Sequence, residues 1–521
     1  EPSLDSAISA CAGVMQLIQA LLALPAPTPQ LVLVTQASQA VSLKRAPRPD
    51  QAAIWGLAKV VRLEHPELRC RCLDLSNGED PGNEIDNAAA ILAHTEAGQN
   101  EECDLVLRGG RYWAPRLERC TVSQLTPHLR DDRTYLISGG HGALGARLAR
   151  WLVERGARHL LLLGRRGPTQ AAAKNILELT RQGVNVQTRE VDIADAGALA
   201  ETLPPVAGIF HLAGVLEDAM VSQQSRLRLA NVFSPKLGGA LNLHRAFAGI
   251  ELDYFVCFSS VSALTGSIGQ SGYAAANAAM DALMEMRRFD GRPGISIQWG
   301  PWAETGMAAD QPERERRRFS DYGIVPIEPA AGMTMLGQLL TDSAATQAVF
   351  QVQWQTFLGQ LYGAKFPPMY RELSTAGAAT PSLTVQGESA GGTLAERMLA
   401  ATGQEGRAML DDTLREVVTR VLGLKARQTV APRQRLFELG LDSLGAIELR
   451  NRLAAVLGRN LRATLLFDYP TLMALGDHIE QEVLGVKAAS THEQAAPAGS
   501  EDLNNLSDVE LAGLLRAELG A

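Results

Sequence analysis

The chain has 521 residues and a mass of 55.8 kDa, length for three or four domains at about 150 residues each. Apolar residues make up 46% and charged residues 20%, and the net charge of -8 excludes a nucleic-acid binder held by a broad basic surface. The apolar run Val14 to Leu24 is broken by Gln16 and Gln19 and stops at Pro25, short of the roughly 20 apolar residues of a bilayer span, so no membrane partner is expected. Glu1-Pro2-Ser3 has no basic leader and no initiating Met, which predicts a piece of a longer polypeptide without a signal peptide. Six cysteines without disulfide or zinc spacing predict reduced thiols and a cytoplasmic location.

Residues 1–127 read as one α/β unit, with a helix over 10–24, a strand at 31–35, a helix over 50–64 and a strand at 71–75. Residues 128–372 read as a second, with a strand at 134–138, a helix over 144–155, and strands at 159–163, 208–211, 254–258 and 295–299. Short apolar strands alternating with amphipathic helices predict parallel, doubly wound sheets. The halves form a degenerate repeat. The first has Thr35-Gln36-Ala37-Ser38-Gln39 after its strand and no glycines for a pyrophosphate, so it is expected to bind no cofactor.

The second has Gly139, then Gly140-His141-Gly142-Ala143-Leu144-Gly145, a G-x-G-x-x-G turn leaving a strand and opening a helix. That context lets a pyrophosphate meet free N–H groups at the helix start. About twenty residues on, where an acid would hold the ribose hydroxyls of NAD, stand Arg165 and Arg166, which suit the 2′-phosphate of NADPH. Asp192, beside Ile193 at the end of the next strand, is expected at the adenine, and Ala213 and Gly214 on the nicotinamide side. His141 reads as a spacer and His211 as a core residue, and no metal-binding motif is present.

Composition turns to Ser, Thr, Ala and Gly over 373–392 and again over 485–505, predicting linkers on either side of a helical unit at 393–484. Over 506–521, Ser507 and Glu510 make a capping box ahead of the stripe Leu511, Leu514, Leu515 and Leu519. A helix this short is marginal alone and calls for a partner.

Hydride addition to a ketone leaves an alkoxide, which needs a proton donor and a second hydrogen bond. Ser260 at a strand end and Tyr273 opening a helix offer both, and Asn277 lies four residues on, on the same helix face. Phe258-Ser259-Ser260 with Gly272-Tyr273-Ala274-Ala275-Ala276-Asn277 resembles the short-chain dehydrogenase/reductase superfamily, and within it the ketoreductases of modular type I polyketide synthases. In that family the lysine lies upstream, in a segment matching Pro235-Lys236-Leu237-Gly238-Gly239, so Lys236, Ser260, Tyr273 and Asn277 match the catalytic tetrad. Gln298-Trp299-Gly300-Pro301-Trp302 and Gly306-Met307 are similar to the segment ahead of the substrate lid, and residues 30–125 to the family's non-catalytic subdomain. Leu216-Glu217-Asp218 resembles a Leu-Asp-Asp stereochemical motif, and Thr265 stands where the opposite class has Trp. By that resemblance Asp218 marks B-type reduction and a D-configured product.

Gly440-Leu441-Asp442-Ser443-Leu444, with Phe467-Asp468-Tyr469-Pro470-Thr471 downstream, resembles acyl carrier proteins. The resemblance implies a small all-α bundle with 4′-phosphopantetheine on Ser443. Ala446, Leu449, Leu453, Val456 and Leu457 are expected on one helix face. Eleven basic against ten acidic residues over 407–484 suit a carrier brought to its partners by tethering. The expected fold is α/β, with two Rossmann-like subdomains, one non-binding and one NADPH-binding, then the carrier bundle. The expected function is reduction of a carrier-bound β-ketoacyl thioester. The alternative is a non-catalytic reductase-fold scaffold, against which the complete tetrad and glycine turn speak. Expected partners are the thioester, other domains of the synthase, a phosphopantetheinyl transferase, and a downstream subunit docked on the C-terminal helix.

Overall fold

The computed structural model describes residues 2–24, 28–41, 46–76, 102–125, 127–200, 204–303, 319–362, 366–375, 403–422, 430–439, 441, 443–457, 461 and 465–483. The first unit contains α1 (Leu4–Leu22), β1 (Val32–Gln36), α2 (Pro49–Glu64), β2 (Arg71–Leu75), β3 (Asp104–Arg108) and β4 (Arg111–Trp113). Helix α1 begins earlier than its apolar pattern predicts because the Ser3 side chain caps it, accepting from the Ser6 N–H. By length and composition α1 is apolar enough to cross a membrane, a test that buried core helices pass too. Its stripe Ala7, Cys11, Met15 and Ile18 is nevertheless buried in the protein core.

The four strands form a sheet in the order β1-β2-β3-β4. Strands β1 to β3 are parallel, and β4 turns back antiparallel to β3. That hairpin was not anticipated, although Gly109-Gly110 signals it. Both glycines have positive φ, 55° and 72°, as a two-residue turn of the right twist requires.

The second unit runs β5 (Thr134–Ser138), α3 (Ala143–Glu154), β6 (His159–Gly164), α4 (Gln170–Arg181), β7 (Asn185–Glu190), α5 (Ala196–Ala200), β8 (Gly208–His211), α6 (Arg226–Phe233), a π turn (Ser234–Gly238), α7 (Gly239–Ala246), β9 (Tyr254–Ser260), α8 (Ser262–Thr265), α9 (Ser271–Phe289), β10 (Ile295–Trp299), α10 (Pro329–Leu339), β11 (Thr346–Val349), α11 (Trp354–Tyr362) and α12 (Arg371–Thr375). Its seven strands are ordered β11-β10-β9-β8-β5-β6-β7, every pair parallel. The chain winds outward from β5 through β6 and β7, then returns to β8 and winds the other way. The switch point between β5 and β8 opens a crevice at the carboxyl ends of the strands, where such sheets bind ligands.

The two units share one core. Leu33, Trp55 and Leu57 of the first belong to the same buried cluster as Phe233, Phe255 and Met280 of the second. Helix α2 lies against α9 with backbones almost touching, since a Cβ on Gly56 would stand 2.4 Å from the Ala274 carbonyl oxygen. Lys59 donates to the Ala263 carbonyl at 2.8 Å and Arg226 pairs with Asp5 at 2.7 Å, adding polar ties across the same boundary.

Helices α13 (Gly403–Leu422), α14 (Ser443–Leu457), α15 (Leu465–Asp468) and α16 (Leu472–His478) form the small α bundle. Leu410, Leu414, Leu449, Leu453, Leu475 and Ile479 fill its core, and Arg407 ties α13 to the far end through Asp477 and Glu480. Ala446, Leu449, Leu453 and Leu457 are buried as expected, whereas Val456 is exposed, because it lies one position off the stripe its neighbours form. Arg450 of α14 reaches toward the Leu63 carbonyl of α2 at 3.4 Å. Helix α12 takes in residues 373–375, the start of the stretch read as a linker. The remainder of that stretch, the linker at 485–505, Gly306-Met307 and the C-terminal segment 506–521 lie outside the described residues.

Candidate active site

A cleft of about 1000 Å³ lies over the switch point, running from the glycine turn past Arg165 and Arg166 to Ser260, Tyr273 and Trp302. Its floor is fixed by a buried relay. Burial holds the His211 imidazole down to about 4, so the ring is neutral. Its Nε2 donates to the Lys236 carbonyl at 2.8 Å, which leaves Nδ1 to accept from the Ser138 hydroxyl at 2.7 Å. The Ser138 oxygen in turn accepts from the Leu212 N–H at 3.2 Å. One histidine thus joins β5, β8 and the turn that carries Lys236.

The glycines fit a dinucleotide for distinct reasons. Gly139 has φ +73°, which a side chain resists. A Cβ on Gly145 would stand 2.5 Å from the Gly139 carbonyl oxygen, so α3 can start hard against the turn. Gly142, Ala143 and Leu144 line the cleft with Gly139 and Gly145. Gly140 is buried instead, and a Cβ there would stand 2.9 Å from the Ile137 carbonyl oxygen and 3.0 Å from Leu162 Cβ. Arg165 and Arg166 line the cleft and are exposed, and among the described residues no carboxylate pairs with either. Ile193, Ala213 and Gly214 line it as well. Asp192 lies between the lining residues Val191 and Ile193, exposed, in the turn after β7, with its carboxylate accepting from the Ala194 N–H at 3.0 Å.

His141 does more than space the glycines. Its Nδ1 donates to the Arg166 carbonyl at 2.6 Å and so pins the arginine turn to the glycine turn. In the first unit the equivalent place is filled from within. The Asp74 carboxylate accepts from the N–H groups of Ser38 at 2.8 Å and Gln39 at 3.2 Å, and it pairs with Arg108. An internal carboxylate therefore engages loop N–H groups that a glycine turn would offer to a phosphate.

The tetrad converges. Lys236 sits in the π turn, buried, and its ammonium donates to Asn277 Oδ1 at 2.8 Å. The same ammonium lies 4.7 Å from the centre of the Tyr273 ring. Asn277 Nδ2 donates to the Tyr273 carbonyl at 2.8 Å. Asn277 is fully buried behind the cleft wall, so it orients Lys236 without facing the cleft, while Lys236, Ser260 and Tyr273 all line it. Burial pushes the Tyr273 phenol up to about 12, opposed by hydrogen bonds with Asn277 and Ser260. Burial also brings Lys236 down to about 8. Asp218 lies on the cleft rim and accepts from the Gln270 side chain at 3.1 Å. Ser443 is the first residue of α14, as expected.

A phenol, a hydroxyl and an oriented cation at the strand ends, beside a glycine turn at the switch point, are the equipment of a dinucleotide-dependent carbonyl reductase. Family profiles agree. Residues 133–304 match the KR domain, 412–479 the phosphopantetheine attachment site, and 2–117 the Rossmann fold domain of the polyketide synthase extender module SpnB. Polyketide synthase GfsB of Streptomyces halstedii is 36% identical over 455 residues, covering 84% of this chain and 8% of that protein. The pikromycin synthase component PikAIII of Streptomyces venezuelae is 34% identical, covering 87% of this chain and 30% of that protein. Among solved structures, A-type ketoreductases from a modular polyketide synthase superpose with a TM-score of 0.65 at 34% identity, over 70% of this chain and 78% of that one. The first ketoreductase of the tylosin synthase gives a TM-score of 0.62 at 33% identity, over 70% and 80%.

The chain belongs to the ketoreductases of modular polyketide synthases and carries a phosphopantetheine-attachment domain after the reductase. Its cofactors are those of the family, NADPH for the reductase and 4′-phosphopantetheine for the carrier. It spans less than a third of the two curated relatives described above.

Proposed function

We propose that the chain reduces a β-ketoacyl thioester, held on 4′-phosphopantetheine at Ser443, to the D-configured 3-hydroxyacyl thioester. NADPH, when bound, supplies the hydride. Gly139, Gly142 and the start of α3 would hold its pyrophosphate, and the free guanidinium groups of Arg165 and Arg166 its 2′-phosphate. The Ser260 hydroxyl donates to the ketone oxygen, and the Tyr273 hydroxyl gives that oxygen its proton as negative charge develops there. The phenolate left on Tyr273 is stabilised by the Lys236 ammonium, which Asn277 holds over the ring. The observation that carries this reading is that arrangement of Lys236, Asn277 and Tyr273.

The D configuration rests on Asp218 at the cleft rim and on Thr265, which is buried and donates to the Val261 carbonyl where the opposite class has Trp. Delivery by other synthase domains, loading by a phosphopantetheinyl transferase, docking to a downstream subunit through 506–521 and a cytoplasmic setting complete the proposal. Its test is NADPH oxidation by the full chain with a short β-ketoacyl thioester, comparing Tyr273→Phe and resolving the product's hand. Turnover lost in the variant with a D product supports it. An L product overturns the stereochemical part, and NADPH binding without turnover favours the scaffold reading.

A further inference from the structure

Glu64, the last residue of α2, belongs to the unit that binds no cofactor, yet its side chain is fully buried in the other. One carboxylate oxygen accepts from the Val221 N–H at 2.7 Å, and the other from the Gly269 N–H at 2.8 Å. These two N–H groups belong to the two segments that form the substrate side of the cleft. The first segment carries Asp218 and the second leads into Tyr273. They meet at a single bridge, Ala219 to Gln270, where the Ala219 N–H donates to the Gly269 carbonyl at 2.8 Å. Beyond that bridge Gln270 Nε2 donates to Asp218 Oδ2. Glu64 closes the buried end of the same pair, with one oxygen for each segment.

Val221 is gripped from its other side too. Gln19 of α1 donates to the Val221 carbonyl at 2.9 Å and to the Gln224 carbonyl at 3.0 Å. Helix α2 cannot slide to accommodate the loops, because Gly56 is locked against Ala274 one residue past Tyr273. The carboxylate therefore sits at a fixed place relative to the tyrosine and sets how far the Asp218 segment stands from it.

We propose that Glu64 is a positioning residue for the stereochemical course of the reduction, holding the Asp218 and Gln270 segments in register with Tyr273. The proposal rests on the reading of Tyr273 and Asp218 above. Glutamine at this position has the same shape but one acceptor, so its amide N–H groups would face a backbone N–H. In Glu64→Gln of the full chain, the ratio of 3-hydroxy diastereomers is expected to move about tenfold toward the minor hand, and KM for the thioester to rise severalfold. The Kd for NADPH stays within about twofold, since the glycine turn makes no contact with Glu64. Val61→Ala, which trims the same helix inside the core, is the matched control. It lowers the melting temperature and leaves the product ratio alone.

Glu64→Gln with an unchanged product ratio and KM overturns the proposal, whatever its melting temperature. Where Glu64→Gln does not fold, Gln19→Leu decides, since it releases the same residue, Val221, at its carbonyl. It is expected to shift the ratio in the same direction by a smaller factor, and an unchanged ratio overturns the proposal equally. A wild-type product of L hand would refute the D assignment without touching Glu64, whose test reads only the change between variants.

Discussion

Lys236 and Tyr273 show burial as the largest influence on two protonation states. Taking an ammonium out of water disfavours its charged form, and taking a phenol out of water disfavours its anion. At neutral pH the lysine, at about 8, is still cationic, and the tyrosine, at about 12, still carries its proton. The charged lysine is present below its pKa and lost above it, so the rate of reduction is expected to fall as pH rises through about 8. A pH profile of kcat on the full chain checks this, and Lys236→Arg, which stays charged, should move the fall to higher pH at lower overall rate. Tyr273→Phe should lower kcat by about 10²–10⁴ while leaving the Kd for NADPH unchanged. Arg165→Ala should raise KM for NADPH about tenfold or more and leave KM for NADH near its starting value, a loss of one charge-assisted contact to phosphate.

At this scale the sequence is legible where chemistry has a pattern and silent where it depends on distance. The tetrad could be placed because the family's motif puts four residue types in fixed segments. Glu64 and His141 have no motif. Glu64 acts 157 residues away on Val221, and the bond that makes His141 useful runs to a carbonyl, which any residue could supply. Asp192 lies in a turn between the cleft residues Val191 and Ile193, with one carboxylate oxygen on the Ala194 N–H.

Among the elements, the π turn at Ser234–Gly238 matters most for chemistry. A turn with one extra residue brings Lys236 inward and offers its carbonyl to His211. Strand β11 illustrates what an apolar pattern misses. It is an edge of the larger sheet, and only the last of its four positions is buried. The hairpin of β3 and β4 is legible in Gly109-Gly110, the two-glycine turn that reverses an otherwise parallel sheet. The contact of α2 with α9 yields a sharp prediction. Gly56→Ala forces a methyl into the Ala274 carbonyl, with nothing flexible to give way. An overpacking cost of about 1–3 kcal/mol is expected, enough to lower the melting temperature by several degrees in calorimetry. Because α9 carries Tyr273, kcat should fall with it.

Over the whole molecule, the division into two units is a division of sheets, not of cores. Residues of both parts fill one cluster, and Glu64, Gln19, Lys59 and Asp5 cross between them. The carrier bundle has its own core, and Arg407 closes it without help from the reductase. Ser443→Ala is therefore expected to leave reduction of a free thioester intact while abolishing the mass increase of one phosphopantetheine group on treatment with a transferase. Intact-protein mass spectrometry reads that outcome directly.

That shared core bears on recombination. Exchanging reductases between assembly lines is a cut-and-splice problem, and the pattern of crossing bonds says where the scissors go. A junction near residue 130 would pair a foreign α2 with a native α9, replacing the acceptor of Val221 and the helix that abuts Ala274 in one stroke. A junction outside α1 keeps those partners together. The inheritable cassette is then the pair of units, travelling as one, and a graft that carries only the half with the glycine turn brings a cofactor cleft whose substrate wall has lost its brace.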